Sequence, residues 1–514
     1  MAHHFYEAGA DEGALEYSLI AGESAARLYA HHEANAHYDQ AIEILDRVES
    51  DSQQRIQAYI ACGRSLKLSG DYEDALAIYQ KLGGPEVSKG DRTVELAAVV
   101  AQSTVLAMPM LTSDPDQCRE ISNSGLALAR ELQDHRAESK VLWNLMLVEF
   151  YEGESREAAV NYGEQSMAIA QEHGLEEQLA FTLNDLAKAY FTVDRGDEAW
   201  AAISESQDLL RAMGNLPMLD DSLITSAGGY FFLARFQDTL ASAEECTEVS
   251  EAIGNTRVKA ISQYVLGAIH MELGEIGKAM AALEEGIPML EKMGWHLPLT
   301  PRLRLALFCG MAGDLKGALD MASKALESGA NRPFAFAAMA QAHLSAGDNV
   351  KVQEFMAEAC NEFEGGESDP KAAYSIFQVI EGDVAQANEC WEDALHLAER
   401  TIGVMEEMGQ LVTWPDMLRC KGVALAGLDR LDEAQSALGQ ALAIAESQNS
   451  RRALCHILPA LADLSERRGD PDKAKELLLR AQEMVTVMAD ATGSDEMRAM
   501  FMNSAKIKAL MNSP

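Results

Sequence analysis

A small side chain returns about every forty residues along the chain, each time in the same local setting. The successive steps are 41, 43, 40, 41, 40, 40, 39, 34, 35, 47 and 40 residues. The twelve positions are Ala34, Ala75, Cys118, Ala158, Ala199, Thr239, Ala279, Ala318, Val352, Ala387, Ala434 and Ala474. Because self-similarity at such a period is typical of repeat architectures, the chain is predicted to be an array of small repeated units.

Each unit is predicted to contain two helices joined by a tight turn. Between Gly63 and Tyr79, the small residue Ala75 falls at helical spacing after the pair Gly70-Asp71. A glycine can adopt the positive φ that ends one helix, and a carboxylate suits the start of the next. The same pair of glycine and acid returns at Gly153-Glu154, Gly274-Glu275, Gly313-Asp314, Gly347-Asp348, Gly382-Asp383 and Gly469-Asp470.

This pattern resembles the tetratricopeptide repeat from about Ala14 to Gln482. The residues that carry the resemblance are Leu186, Ala187 and Tyr190 with Ala199, Leu266-Gly267 with Ala279, and Gly382-Asp383-Val384 with Ala387, Ala394 and Leu395. The tetratricopeptide period is about 34 residues, and HEAT or armadillo units at about 40 to 47 are closer to most of the steps here. We favour the tetratricopeptide repeat because the turn and the paired small residues recur.

The resemblance implies an all-α, right-handed α-solenoid of about twelve helical hairpins with a C-terminal capping helix. Boundaries in such an array are soft, because each hairpin buries its apolar face only against its neighbours. We expect a repeat array over residues 1–482 and capping helices over residues 483–514. Glycine, proline and acidic residues cluster at three candidate breaks inside the array, near 82–91, 294–301 and 364–370.

The two ends of the chain are similar to the repeat region of a group of large signalling ATPases. The N-terminal run includes Ala8-Gly9, Ala21-Gly22, Ala25-Ala26 and Tyr38, and the closing stretch extends from Met497 to Met511. The group includes relatives of the bacterial maltose-regulon activator and regulators linked to a nucleotide cyclase. In those proteins the switch domain lies outside the repeats. The resemblance therefore implies a sensing arm, with a nucleotide-binding or cyclase output domain on a longer or a separate chain.

The chain is strongly acidic, with a formal charge of −39 from 81 acidic and 42 basic residues. A nucleic-acid surface needs clustered cations that displace counterions, whereas the basic clusters here are pairs such as Arg451-Arg452. We therefore expect no nucleic-acid partner. The acidity fits a cationic partner, a saline source or solubility alone.

The sequence favours a cytoplasmic protein that does not bind a membrane. Acidic residues and histidines near Met1 interrupt any secretory apolar core. The longest wholly apolar run, Phe334 to Ala340, is too short to cross a bilayer. The eight cysteines include no Cys-x-x-Cys pair, so buried reduced thiols are expected rather than a metal or redox site.

Motifs for catalysis are missing from the sequence, so we expect no enzyme activity, no cofactor and no metal. Gly274 to Lys278 lacks the leading glycine of a phosphate-binding loop. His31 and His32 stand six and five residues before His37, a poorer spacing for metal binding than the i, i+4 geometry of one helix face. We interpret them as a surface cluster.

Recognition by a groove is the chemistry that remains. In tetratricopeptide proteins the first helix of each hairpin lines the concave surface, so the resemblance implies which side chains a peptide or protein ligand would meet. Asn184 and Lys188, one helical turn apart, are candidates to hold a carboxylate or backbone of the ligand. The candidate groove residues are Trp143, Phe181, Asn184, Lys188, Phe191, Phe231, Tyr264, Met271 and Arg304.

The function that fits these features is a non-enzymatic protein-interaction scaffold, the partner- or ligand-sensing arm of a signalling system. Two alternatives stay open. One is a free-standing assembly adaptor. The other is a small-molecule sensor with a pocket at His296 to Pro301 beside Trp295.

Adding ATP and Mg²⁺ to the purified chain is expected to produce neither binding nor hydrolysis. The reason is that the sequence has no phosphate-binding loop and no Mg²⁺-binding acid after a strand. Equilibrium dialysis with labelled ATP and a phosphate-release assay measure the two activities. Saturable binding at micromolar ATP would contradict the scaffold interpretation.

Overall fold

A computed structural model describes residues 1–28, 30–48, 50–107, 114–153, 155–193, 195–292, 301–327, 332–364 and 376–513. Within these residues every regular element is an α-helix and there is no strand, which confirms the predicted all-α class. Contacts between residues divide the chain into two compact units, Met1–Ser222 and Leu223–Pro514.

The first unit contains twelve complete helices. They are α1 Ala2–Glu7, α2 Asp11–Arg27, α3 His31–Leu45, α4 Ser52–Ser69, α5 Tyr72–Gly83, α6 Pro85–Ser88, α7 Arg92–Leu106, α8 Pro115–Leu132, α9 His135–Glu152, α10 Arg156–Glu172, α11 Glu176–Phe191 and α12 Gly196–Met213. Helix α13, Leu216–Phe232, includes the division between the units.

The second unit continues the same pattern of helices. They are α14 Phe236–Ile253, α15 Thr256–Glu272, α16 Ile276–Lys292, α17 Pro301–Met311, α18 Leu315–Glu327, α19 Arg332–Ala346, α20 Asn349–Glu364, α21 Ile376–Ala387, α22 Trp391–Met408, α23 Trp414–Gly427, α24 Leu431–Gln448, α25 Arg451–Arg467, α26 Pro471–Asp490, α27 Asp495–Asn503 and α28 Ala505–Met511.

Consecutive helices pack in pairs, as the sequence predicts. In the first unit the pairs are α2 with α3, α4 with α5, α7 with α8, α9 with α10 and α11 with α12. In the second unit they continue from α15 with α16 to α25 with α26. Within each unit the first helices of successive pairs also contact one another, for example α7 with α9 and α17 with α19. We call these first helices the inner helices.

The recurring small residue is the fourth residue of the second helix in each pair. Ten of the twelve predicted positions occupy this place, among them Ala34 in α3, Ala199 in α12 and Ala474 in α26. These three side chains are at most 1% exposed. A side chain this small lets the two helices of a pair approach closely.

Two of the twelve positions need correction. The fourth residue of α10 is the buried Ala159, one residue after the predicted Ala158. The fourth residue of α22 is Ala394, which is fully buried, whereas the predicted Ala387 is exposed and ends α21. The step from Val352 to Ala394 is 42 residues, so the repeat is more regular than the predicted positions suggest.

The turn predicted at Gly382-Asp383 is wrong, because both residues lie inside α21. Gly382 lies where α21 and α23 approach closely, since a Cβ atom there would lie 2.6 Å from Sγ of Cys420. Asp383 forms an ion pair with Arg419. The pair of glycine and acid here serves packing and charge pairing rather than a turn.

Two other predicted turns of this type are confirmed, whereas Gly153 has φ −82° instead of the predicted positive φ. Gly469 has φ +79°, and the Asp470 side chain accepts a hydrogen bond from the Lys473 backbone N–H at 3.1 Å. Gly313, at φ +82°, stands before Asp314, which caps the next helix in the same way. Glycine ends one helix and the carboxylate satisfies an N–H that begins the next.

The second unit closes on itself, because α25 packs against α15, which lies five hairpins earlier. The Arg451 guanidinium donates to the Leu273 carbonyl at 2.8 Å, and the Gly277 N–H donates to the Ala491 carbonyl at 2.8 Å. Helix α28 contacts both α26 and α19. The predicted terminal segment therefore packs on earlier helices as well as on the last hairpin, and its first residues, 483–490, belong to α26.

The three candidate breaks differ in what the structure describes. The first contains the end of α5, the short helix α6 and the Asp91 N-cap of α7. The breaks near 294–301 and 364–370 lie almost wholly outside the described residues, as do Trp295 and all but the last residue of the predicted pocket at His296 to Pro301. The extent of the repeat array stays a prediction.

Replacing Ala199 with leucine is expected to lower the free energy of unfolding by about 1–3 kcal/mol, because extra methylene groups overpack a filled contact. Ala199 is fully buried at the fourth position of α12. The control is Ala201→Leu, two residues along the same helix, where the side chain is exposed. Thermal unfolding of both variants tests this. Equal stabilities would contradict the proposed role of the fourth position.

Candidate functional site

Trp143, the first predicted groove residue, is anchored inside the first unit. It lies on α9, is 4% exposed, and its indole Nε1 donates to Oδ2 of Asp185 on α11 at 2.9 Å. The Phe181 ring lies 6.4 Å from the indole, measured between centroids, and is half-buried. Trp143 therefore supports the inner surface from beneath, and Phe181 contributes to the surface itself.

Asn184 and Lys188 are held by the chain's own carboxylates. Lys188 Nζ lies 2.8 Å from Oδ1 of Asp185 and 3.3 Å from Oδ2 of Asp221. The Asn184 amide donates to the same Asp221 oxygen at 3.0 Å. Burial on its own lowers the pKa of Lys188, but the two aspartates outweigh it and raise that pKa well above its ordinary value.

These contacts change how the pair is interpreted. Asn184 and Lys188 bind carboxylates of the chain itself, those of Asp185 and Asp221, so their role toward a ligand stays a prediction. Sequence reasoning missed both aspartates. The signal for Asp185 was its position three residues before Lys188, which places them on one helix face. Asp221 lies 33 residues from Lys188, and no local pattern links them.

Phe191, the remaining predicted residue of the first unit, lies at the end of α11 and is half-buried. Its ring contacts the Trp200 ring edge to face, with centroids 4.9 Å apart. Edge-to-face packing is a favoured geometry for two aromatic rings. Phe181 and Phe191 are thus two partly exposed aromatic side chains of α11.

The four predicted residues that follow lie in the second unit. Arg304 Nη2 donates to the hydroxyl of Tyr264 at 2.8 Å. The Arg304 guanidinium carbon lies 4.6 Å from the Tyr264 ring centroid and 6.0 Å from that of Phe231. Met271 is 2% exposed and belongs to the core. The structure therefore brings Phe231, Tyr264 and Arg304 together as a cation–π cluster and excludes Met271 from its surface.

Lys140 is an inner-helix cation that sequence reasoning missed. Its Nζ atom lies 3.7 Å from the centroid of the Trp143 ring and 5.2 Å from that of Phe181. Burial, and then the charges of Lys67 and Arg64, lower the pKa of Lys140 to about 7. Nearby positive charge disfavours a further ammonium, so these three cations lie close enough to repel one another.

A second cluster of charged side chains connects α15, α23 and α25 in the second unit. Arg452 Nε donates to both carboxylate oxygens of Glu272 at 2.8 and 2.9 Å, across 180 residues of sequence. The two Nη atoms of Arg452 donate to Asp416 at 2.9 and 2.6 Å. All three side chains are buried. Removing one member of such a buried network costs about 3–5 kcal/mol, because a charge is left without its partner.

His456 and Asp383 extend this cluster toward a small cavity. The cavity, about 20 Å³ in volume, is also lined by Asp416, Arg419 and Arg452. A volume of this size holds about one water molecule. Burial and the positive charges of Arg419 and Lys506 lower the pKa of His456 to about 4.

The histidines and cysteines considered for metal or redox chemistry, all except Cys390, lie on helices of the two units. His31, His32 and His37 all lie on α3. In the part of the chain that the structure describes, no group of three or more His, Cys, Asp or Glu side chains is arranged to hold a metal ion. Six of the eight cysteines are buried, and burial raises the pKa of Cys62 to about 12.

Among the described helices, none combines the length and the apolar character needed to cross a membrane.

No protein-family model matches this chain, and no curated protein matches it. Similar solved structures include a Rap protein complexed with Competence and Sporulation Factor, at 12% identity over 69% of this chain and 98% of that chain, with a TM-score of 0.43. The apo quorum sensor NprR of B. thuringiensis matches at 11% identity over 68% of this chain and 99% of that chain, with a TM-score of 0.44.

Yeast Tom70 is similar along most of the chain, at 12% identity over 98% of this chain and all of that chain, with a TM-score of 0.38. Similarities at these identities and TM-scores assign neither a family nor a ligand. The helical-hairpin architecture rests on the chain's own helices and their contacts.

The second unit is expected to lose stability as the pH falls from about 6.5 to about 4. His456 has a pKa lowered from 6.5 to about 4, so in this range the unfolded chain binds more protons than the folded one. The groups that face His456 are Arg419, Lys506, Asp383 and Asp416.

His456→Gln should therefore weaken the fall in thermal unfolding temperature between these pH values. The slope is reduced rather than abolished, because His270 also has a lowered pKa through burial. The control is His396→Gln, at an exposed position on α22 of the same unit. An unchanged pH slope in His456→Gln would show that His456 does not couple to folding.

Proposed function

We propose that this chain is a non-enzymatic protein-interaction scaffold that binds a peptide or protein segment on the inner helices of its first unit. The observation that carries the proposal is the aromatic and cationic face of α9 and α11. Phe181 and Phe191 are accessible there, and Lys140 lies against Phe181 and the anchored Trp143. Rigid aromatic side chains next to a cation are typical anchors of protein interfaces.

The packing beneath this face supports a binding role. Trp143 is fixed by its hydrogen bond to Asp185, and Asp185 is itself paired with Lys188. A surface whose side chains are already held in place loses little conformational entropy when a ligand binds. The first unit therefore presents a preorganised face.

For the predicted groove residues of the second unit we propose two different roles. Phe231 and Arg304 are half-buried and remain candidates for ligand contact. Tyr264 and Met271 are at most 9% exposed and are proposed to support them.

We further propose that the scaffold is the sensing arm of a signalling system whose output domain is nucleotide-binding or a cyclase, on a longer or a separate chain. The support is the resemblance of the two terminal segments. The N-terminal segment corresponds to α1 to α3, and the closing segment to α27 and α28. The repeat helices would receive a partner, and the switch chemistry would take place elsewhere.

The test is capture of partners from a lysate of the source cell by the immobilised full chain. Replacing both Phe181 and Phe191 with alanine should reduce capture by about tenfold or more, since buried anchors contribute about 2 kcal/mol or more each. The control is Leu132→Ala, at an exposed apolar residue near the end of α8. Circular dichroism verifies that both variants remain helical.

Equal capture by the wild type, the double variant and the control would contradict a binding face on α11. Quantitative mass spectrometry of the captured proteins also separates the two forms of the proposal. A nucleotide-binding or cyclase protein lost only with the double variant supports the sensing arm. Loss of a set of structural subunits alone supports an assembly adaptor.

A further inference from the structure

Three cations lie on the inner helices of the first unit. Arg64 and Lys67 lie on α4, and Lys140 lies on α9. Among the described residues none of the three forms an ion pair within 4.0 Å, although 81 acidic residues are present in the chain. By contrast, Lys188 on the next inner helix is neutralised by two aspartates.

The fold explains why the three cations share a region. Helix α7 packs against both α4 and α9, so it lies between the two helices that carry the cations. After Glu95, in its first turn, α7 has only apolar and neutral polar residues up to Leu106. Beyond its first turn, α7 therefore has no acidic side chain that could neutralise the three cations.

The cations also adjoin an apolar surface. Lys140 Nζ is 3.7 Å from the centroid of the Trp143 ring and 5.2 Å from that of Phe181. Lys67 and Lys140 are half-buried, and Arg64 is exposed. A segment that occupies this region meets positive charge and aromatic surface together.

We infer that Arg64, Lys67 and Lys140 form a binding site for an acidic peptide segment of a partner protein, with an apolar residue of that segment placed against Phe181. Charge complementarity carries the choice of occupant, because the site is a cationic island in a chain of net charge −39. The inference rests on the proposed function and adds the chemistry of the ligand.

The ionisation of the lysines supports the inference. Burial and repulsion lower the pKa of Lys67 to about 8 and that of Lys140 to about 7, so the free protein holds these charges unfavourably. Bound carboxylates would favour both charged forms. Binding should therefore take up protons, and affinity should fall as the pH rises above about 7. The other charged groups that face Lys140 are Arg64, Glu177 and Asp185.

The experiment uses the full chain and a fluorescein-labelled oligoglutamate peptide with one central leucine, followed by fluorescence anisotropy. The double variant Lys67→Gln with Lys140→Gln should bind the peptide about tenfold or more weakly at low salt. The wild-type affinity should fall with added salt, because these charges are partly exposed to solvent. An oligoglutamine peptide of equal length should bind weakly to both proteins.

Two further measurements separate a ligand site from a structural role. The double variant should unfold at the same temperature as the wild type or higher, because it removes charges that repel each other. Lys89→Gln, which removes one exposed charge from the same unit, should bind the peptide as the wild type does. Wild-type affinity should also decrease between about pH 6 and about pH 9.

Equal binding of oligoglutamate by the wild type and the double variant would overturn the inference, as would an affinity that does not depend on pH or salt. That result is distinct from failure of the proposed function. If the phenylalanine variant still loses its captured partner while the lysine variant keeps it, the scaffold stands and the acidic ligand is wrong.

Discussion

The close contact at the fourth residue of each second helix is the constraint on which the rest of the structure depends. Ala75, Ala199 and Ala434 are fully buried there, and the opposing inner helix fits around them. At Gly63 the approach is so close that a Cβ atom would lie 2.3 Å from the Tyr79 ring. Because the contact recurs from hairpin to hairpin, the first helices of successive pairs lie side by side within each unit.

Charge has two different uses in this acidic chain. In the second unit Arg452 is fully enclosed by Glu272 and Asp416, and this network joins helices that are distant in sequence. In the first unit Lys140 packs on the Trp143 ring, with two other cations nearby. Glu177 and Asp185 also face Lys140, but among the described residues neither forms an ion pair with it. The first arrangement fixes a fold, whereas the second leaves charge available to a partner.

Local patterns predicted the fold well, because a tight helical hairpin imposes its requirements within a few residues. The turn at Gly469-Asp470 and the small residue Ala474 follow from such rules. The errors are also local: an Ala-Ala pair concealed which alanine of α10 is buried, and a glycine needed against Cys420 imitated a turn.

The site could be predicted only in part. The mapping of inner positions found Trp143, Phe181 and Lys188, but not the partners that determine their roles. Asp221 reaches Lys188 from the following inner helix. The cluster of cations depends on how α4, α7 and α9 pack against one another. The spacing of residues within one repeat does not predict this packing between repeats. Ion pairs between hairpins were therefore beyond sequence reasoning, most clearly the one that links Arg452 to Glu272.

The most direct test of the account is zero-length carbodiimide cross-linking of the chain to its captured partner, with the linked residues identified by mass spectrometry. Carbodiimide joins a carboxylate to an amine that it already contacts. The account predicts that partner carboxylates are linked to Lys67 and Lys140 on the inner helices of the first unit. Links confined to outer lysines, such as the exposed Lys473 and Lys475 on α26, would contradict it.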